Sequence, residues 1–329
     1  MAPRVPQRQH PDNPAVKVTS IETEGQSKDH QVSDERPVFP IGGRRHVGRW
    51  VTAIVAIVLL AMFANFIVTN PNWQWDIVGK YIFSPIILQG LFLTVLLTFV
   101  STAIGMVLGG VTAFMRLSSN PTLRIAASLY IWFIRSIPAL VLLLLIFFLG
   151  ALLPRLSLGV PFGPELVSFR TNELITRFSA ASVGLGLYLG AYSGEVIRGG
   201  VIAVPRGQFE AAQAVGMTNG LLMRRIVAPQ AIRVIIPALA NEMITMFKST
   251  SLVTVIGFSE LLTTAQLIYA RTFEVIPLLM VACLWYLLIT SIAMLGQWRL
   301  EERFGRGFTH SRQRTPFWKT VAEAGEELR

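Results

Sequence analysis

The sequence predicts an all-α integral membrane protein with six transmembrane helices, and three observations predict it. Apolar residues make up 52% of the 329 residues and charged residues only 15%, well below the roughly 25% charged of a typical soluble domain. The mean hydropathy of +0.54 leaves too little polar side chain to coat a soluble surface. A hydrocarbon core of about 30 Å needs about 20 mostly apolar helical residues, and six stretches meet that demand, at 50–69, 86–115, 125–153, 178–197, 234–256 and 275–295.

Each element has its own justification. The first run follows about 45 polar, Pro-rich residues of mixed charge that cannot bury a core, so 1–46 is expected to be a disordered tail. That leader is too long for a signal peptide, and Phe66-Ile67-Val68-Thr69 offers no small-x-small cleavage site, so 47–70 reads as an uncleaved helix. The run at 86–115 is long enough to tilt and carries Gly105 and Gly109; the run at 178–197 carries Gly186, Gly190 and Gly194. Small residues at four-residue spacing let helix backbones approach closely. Pro138 interrupts the third run and Pro237 lies near the start of the fifth, each removing a backbone hydrogen bond. The amphipathic stretch 259–270 is expected to be a short extracytoplasmic or re-entrant helix. The charged segment 299–329 is expected to begin as an interfacial helix and end disordered.

Orientation follows from the basic residues. With a cytoplasmic N-terminus and six alternating spans, 22 Lys and Arg fall on the cytoplasmic side against 5 outside, the bias of the positive-inside rule. Trp73, Trp75 and Tyr81 then sit at the outer interface and Trp298 at the inner one. The same rule accounts for a net charge of +10 without nucleic acid as a partner. One cysteine, Cys283, excludes a disulfide framework and a cysteine zinc cage, and all four histidines lie in the polar end segments. Neither a soluble metalloenzyme nor any bound metal or cofactor is expected of this chain.

Ionisable groups inside hydrocarbon are costly and tend to mark function. Arg135, Glu195, Glu242 and Lys248 qualify. One reading has them pairing at helix ends or snorkelling to hold the bundle together. The other has them lining a hydrated route for a polar solute. Arg135 and Glu195 lie nearer the cytoplasmic ends of their spans, where the first reading is favoured; Glu195 also shares a helix face with Arg198. For Glu242 and Lys248 both readings stay open, including mutual pairing.

Between the fourth and fifth spans, Pro205 and Gly207 punctuate the chain, Gln208 to Val215 favours a helix, and Gly216 supplies a stop. Within that segment Glu210-Ala211-Ala212, three residues, Gly216, nine residues, Ile226, one residue, and Ala228-Pro229 resemble the EAA loop of ABC-importer permease subunits. Ala228 stands where the family pattern has leucine. Ala191-Tyr192-Ser193-Gly194-Glu195-Val196-Ile197-Arg198-Gly199-Gly200, Arg135-Ser136-Ile137-Pro138, and Asn241-Glu242 followed by Lys248-Ser249-Thr250-Ser251-Leu252 are similar to the polar amino-acid permeases of that family.

The resemblance implies a permease domain at 86–298, with a cytoplasmic coupling loop at 204–229, preceded by one extra helix that acts as a peripheral anchor. It implies a coupling helix built on Glu210, Ala211, Ala212, Gly216, Ile226 and Pro229, and a pathway drawing on Glu242, Lys248, Glu195 and Arg135. Two ATP-binding subunits, a second permease subunit (identical or paralogous), an extracytoplasmic solute-binding protein and an amino-acid substrate would be its partners in the bilayer. The chain has no Gly-x4-Gly-Lys-Ser/Thr loop, so ATP and Mg²⁺ belong on the partner ATPase. Two rivals are weaker. An intramembrane serine protease built on Gly190-Ala191-Tyr192-Ser193-Gly194 would lack any histidine base in a span. An ion-coupled secondary transporter would leave the loop unexplained, and no repeat relates 86–197 to 198–298.

Overall fold

The computed structural model describes residues 47–159 and 165–305; the expected polar tail 1–46 and most of the segment after 299 lie outside them. The chain divides into two compact units, 1–61 and 62–329, with the boundary inside its first helix, α1 (Val47–Thr69). The described part of the first unit is the opening of α1. Its apolar side chains, Trp50, Ile54, Ile57 and Leu60 among them, are exposed.

In the second unit, α1 ends at a 3-10 turn (Pro71–Trp73) capped by Asn70, whose side chain accepts the Asn72 N–H at 3.0 Å. The helix α2 (Trp75–Tyr81) follows. The indole N–H of Trp75 donates to the Ile67 carbonyl at 3.0 Å, and its ring stacks on Trp73. Then come α3 (Pro85–Leu117), α4 (Pro121–Ser136), α5 (Ala139–Phe147) and α6 (Leu149–Leu152). Proline at the first turn of α3 and of α4 sacrifices an N–H that has no helical partner anyway. An antiparallel hairpin, β1 (Arg155–Gly159) and β2 (Glu165–Arg170), leads through α7 (Thr171–Leu174) into α8 (Arg177–Ile202). Thr176 and Ser179 close a reciprocal capping box at the start of α8. The remainder is α9 (Arg206–Ala214), α10 (Asn219–Leu222), a π turn (Met223–Val227), α11 (Ala228–Ser249), a 3-10 segment (Thr250–Ile256), α12 (Leu261–Thr272) and α13 (Val275–Gly305).

The structure revises one expectation and adds one element. The run 125–153 is not one straight span: it breaks at Ile137–Pro138 and α5 leaves α4 at 103°. Proline drives the residue before it out of the helical region, and Ile137 is extended at φ −100° and ψ 133°. The added element is the hairpin, which lies between the expected spans 125–153 and 178–197. By length and hydropathy three of the described helices can cross a membrane, or five if each bent pair is one span. The fourth expected span, α8, is not among them, because its many small and polar residues keep its hydropathy low. Ala180, Ala181, Gly186, Gly190, Ser193 and Gly194 are buried in the bundle, so α8 has little need of a lipid-compatible surface.

The core is built around this helix. Leu97 of α3, Leu143 of α5, Leu185 and Leu189 of α8, and Met246 of α11 form one buried cluster with Val253 and Ile256. A second cluster joins Val78, Ile87, Leu261, Ala265, Leu278 and Val281, which ties α2 and α3 to α12 and α13. Between α3 and α8 the glycines bring the backbones close, and the Ser193 hydroxyl reaches the Gly105 carbonyl of the neighbouring helix at 3.0 Å.

Candidate functional site

Two sites follow from this framework. The first is the short helix α9. Pro205 precedes it, and Gly216 ends it at φ +74°, a left-handed conformation that is free for glycine and strained for other residues. The Gly216 N–H donates to Gln213 O at 2.9 Å and the Met217 N–H to Ala212 O at 3.0 Å, satisfying carbonyls the helix end would otherwise leave open. Ala212, 2% exposed, anchors α9 in a cluster with Val204, Leu222, Val227, Ala231 and Ile235. Around that anchor the sequence-chosen residues divide. Glu210, Ala211, Gly216 and Pro229 are exposed, whereas Ile226 is half-buried against the cluster. Val215, just past the end of α9, is 75% exposed.

The second site is a polar seam on α4, α8 and α11. The Arg135 guanidinium, at the last turn before the break, lies 4.8 Å from the centre of the Tyr192 ring, a cation–π contact. Tyr188 packs against Tyr192 with ring centres 4.7 Å apart. Arg135 and Glu242 feel one another electrostatically, and Tyr188 lies in the same field. Glu242 is half-buried, and among the described residues its carboxylate has neither an ion pair nor a hydrogen bond. Lys248 is exposed and likewise unpaired among them. Six residues along a helix separate two side chains by about 9 Å of rise and about 120° of rotation, so Glu242 and Lys248 point apart and do not neutralise one another.

Glu195 behaves differently. It accepts from Arg198 at 2.8 Å and faces Arg116 of α3 at 3.4 Å, so its charge is committed to two arginines that tie α3 to α8. Arg116 is fixed in turn by the Ser128 hydroxyl of α4.

One ionisable group escaped the sequence reading. Glu260 is completely buried at the start of α12. Its carboxylate accepts the N–H groups of Leu262 at 2.9 Å and Thr263 at 2.8 Å, and the Tyr286 hydroxyl at 2.7 Å. An acidic residue directly before an apolar helical run is the signal that marks it as a cap.

With the geometry in place, the comparisons decide the family. Residues 102–305 match the model of the binding-protein-dependent transport system inner membrane component. The chain belongs to this family. Over 268 residues, 81% of this chain and 83% of the relative, the permease is 42% identical to the arginine transport system permease protein ArgU of Corynebacterium glutamicum. It is 36% identical to the L-cystine transport system permease protein TcyB of Bacillus subtilis, over 70% of this chain and 92% of that one. Among solved structures, an amino acid ABC transporter crystallised with histidines matches at 35% identity and a TM-score of 0.59, over 69% of this chain and 98% of the other. A methionine ABC transporter at 18% identity and a TM-score of 0.53 shares the fold. The permease is thus a membrane-embedded component of binding-protein-dependent transport.

Proposed function

We propose that the chain is the pathway-forming permease subunit of an ABC importer that takes up a polar or charged amino acid. The observation that carries this reading is α9, a helix seated on the bundle through buried Ala212 and half-buried Phe209, with Glu210 and Val215 left outside. Such a helix suits insertion into a groove of an ATP-hydrolysing partner that supplies both ATP and Mg²⁺. Its anchor joins the start of α11, so movement of α9 reaches the helix that bears Glu242 and Lys248. A second permease subunit completes the pathway, and a solute-binding protein delivers the solute at the opposite face. Both termini lie in the cytoplasm, and 47–70 anchors the subunit in the bilayer.

An amino-acid zwitterion carries one charge of each sign, and Glu242 and Lys248 offer two unpaired charges of opposite sign on one helix. Arg135, held on Tyr192, borders the same seam, whereas Glu195 acts as a clamp between helices. The names of the relatives support the substrate class: arginine, cystine and glutamine permeases are among them.

The test is reconstitution of the purified complex in liposomes, with uptake of labelled arginine, glutamine and cystine measured with and without ATP. ATP-dependent uptake of one of them is expected. Uptake that ignores ATP and follows an ion gradient would overturn the reading. Orientation is tested with a cysteine at exposed Val215 in a Cys283→Ser background. Labelling from the extracytoplasmic side would remove α9 from the reach of any ATPase.

A further inference from the structure

Glu260 is a completely buried acidic group with no part in the pathway described above, and its partners come from three helices. The two backbone N–H groups it accepts are ordinary capping partners at the start of α12. The Tyr286 hydroxyl is not: it belongs to α13, 26 residues away, and donates at 2.7 Å. Thr94 of α3 completes the cluster. Its hydroxyl accepts the Leu261 N–H at 3.0 Å and stands 3.5 Å from Glu260 Oε2. The Thr263 hydroxyl lies between Glu260 Oε1 at 2.9 Å and the Thr254 hydroxyl at 2.8 Å, and Thr254 donates onward to Gln266.

Thr250 and Thr254 belong to the 3-10 segment that begins two residues after Lys248. This segment ends the helical stretch 219–256, and α12 leaves it at 46°. Gly90 allows α3 to reach the bend: a Cβ there would meet Thr264 Oγ1 at 2.6 Å and the Glu260 carbonyl at 3.2 Å. The stretch therefore has two ends of different character. One is continuous with the α9 loop; the other is linked, through the Thr254–Thr263 hydroxyl bond, to a buried carboxylate whose partners lie on α3, α12 and α13.

We propose that Glu260, through Tyr286, is a positioning residue. It holds the end of the 219–256 stretch against α13, so that displacement arriving from α9 reorients Lys248 rather than being lost by sliding of the whole helix. The inference rests on the permease reading above. It separates two jobs of one side chain: capping α12, which any short acceptor performs, and bridging to Tyr286, which needs the full reach of glutamate.

The experiment compares Glu260→Asp and Tyr286→Phe in the full reconstituted complex. It reads complex yield, KM and maximal rate of uptake, and ATP hydrolysed per solute moved. Asp still caps α12 but is one methylene too short for the Tyr286 hydroxyl, while Phe keeps the ring and removes the donor. Both variants are expected to assemble at normal yield and to hydrolyse roughly fivefold or more ATP per solute. The double variant is expected to be no worse than either single one, since both cut the same link. Normal coupling in Tyr286→Phe, or in a Glu260→Asp that assembles, would overturn the proposal and leave Glu260 as a cap only. If Glu260→Asp fails to assemble, Tyr286→Phe decides alone. Should the unmodified complex show no ATP-driven uptake, the permease reading falls and this inference falls with it.

Discussion

The close approach of α3 and α8 can be tested by a matched pair of adjacent glycines. A Cβ built on Gly109 would collide with the Ser193 hydroxyl and lie 2.9 Å from Ser193 Cβ and 3.0 Å from the Gly194 nitrogen. The hydroxyl can rotate away; the Cβ and the backbone nitrogen cannot. Accommodating alanine therefore requires the helices to part by several tenths of an ångström, and such overpacking costs about 1–3 kcal/mol. A Cβ on Gly110 meets nothing within 4 Å. There alanine keeps only its helix-propensity advantage, up to about 1 kcal/mol. Gly109→Ala shares that advantage, so the difference between the two variants isolates the packing term. At 2–4 °C per kcal/mol for a fold of roughly this size, Gly109→Ala should unfold several degrees below Gly110→Ala. Circular dichroism of the detergent-solubilised permease, by heating and by SDS titration, measures the gap. Equal midpoints, or a more stable Gly109→Ala, would refute the claim that this interface is set by backbone proximity.

Glu195→Gln should lower the unfolding free energy measured by SDS titration by about 1–3 kcal/mol, because it removes the charge that Arg116 and Arg198 share where their side chains are only 28% and 29% exposed. Glu242→Gln and Lys248→Met should each cut uptake while the complex purifies at normal yield; loss of assembly in both would instead make them structural. Gly216→Pro cannot reach φ +74° and lacks the N–H that bonds Gln213, so uptake should collapse while the helicity of the spans is unchanged. Glu210→Lys should do the same by reversing the exposed charge of α9, with co-purification of the ATPase and uptake as paired readouts.

The elements most legible in the sequence are those determined by one-dimensional signals. Uninterrupted apolar letters mark α1, α3 and α13, and Pro205 with Gly216 frames α9. The third span shows the limit. Ile137-Pro138 announces a break, but its 103° angle goes with α5 placing Leu143 in one buried cluster with Leu185 and Leu189 of α8, which no local pattern encodes. The strands β1 and β2 are five and six residues long, too short for their apolar pattern to stand out between the long runs on either side. At the site, charges stood out against an apolar background, so Arg135 and Glu242 were singled out. Tyr188 and Tyr192 looked like ordinary span residues until the fold placed Arg135 on the second ring. Glu260 was passed over because its role depends on Thr94 and Tyr286, which are 166 and 26 residues away.

A lever is useful only if the material between its ends bends where it should. Along the proposed route from α9 to Lys248 there are two local irregularities. The π turn at 223–227 departs from the regular helical ladder, a feature often associated with functional sites. Pro237 inside α11 removes one ladder bond. Glu242 and Lys248 both lie beyond these points, on the part of α11 that leads without a break into the segment pinned near Tyr286. Motion of α9 would then be absorbed as bending at 223–227 and near Pro237, and would emerge as a tilt of the Glu242–Lys248 portion about its held end. A helix free at that end would slide and carry both charges equally. A held one would swing Glu242, nearer the compliant points, further than Lys248, and the spacing of the two charges relative to the Arg135–Tyr192 edge would change with it. Such unequal movement would give the proposed seam a physical route to bind an amino acid in one state and release it in another.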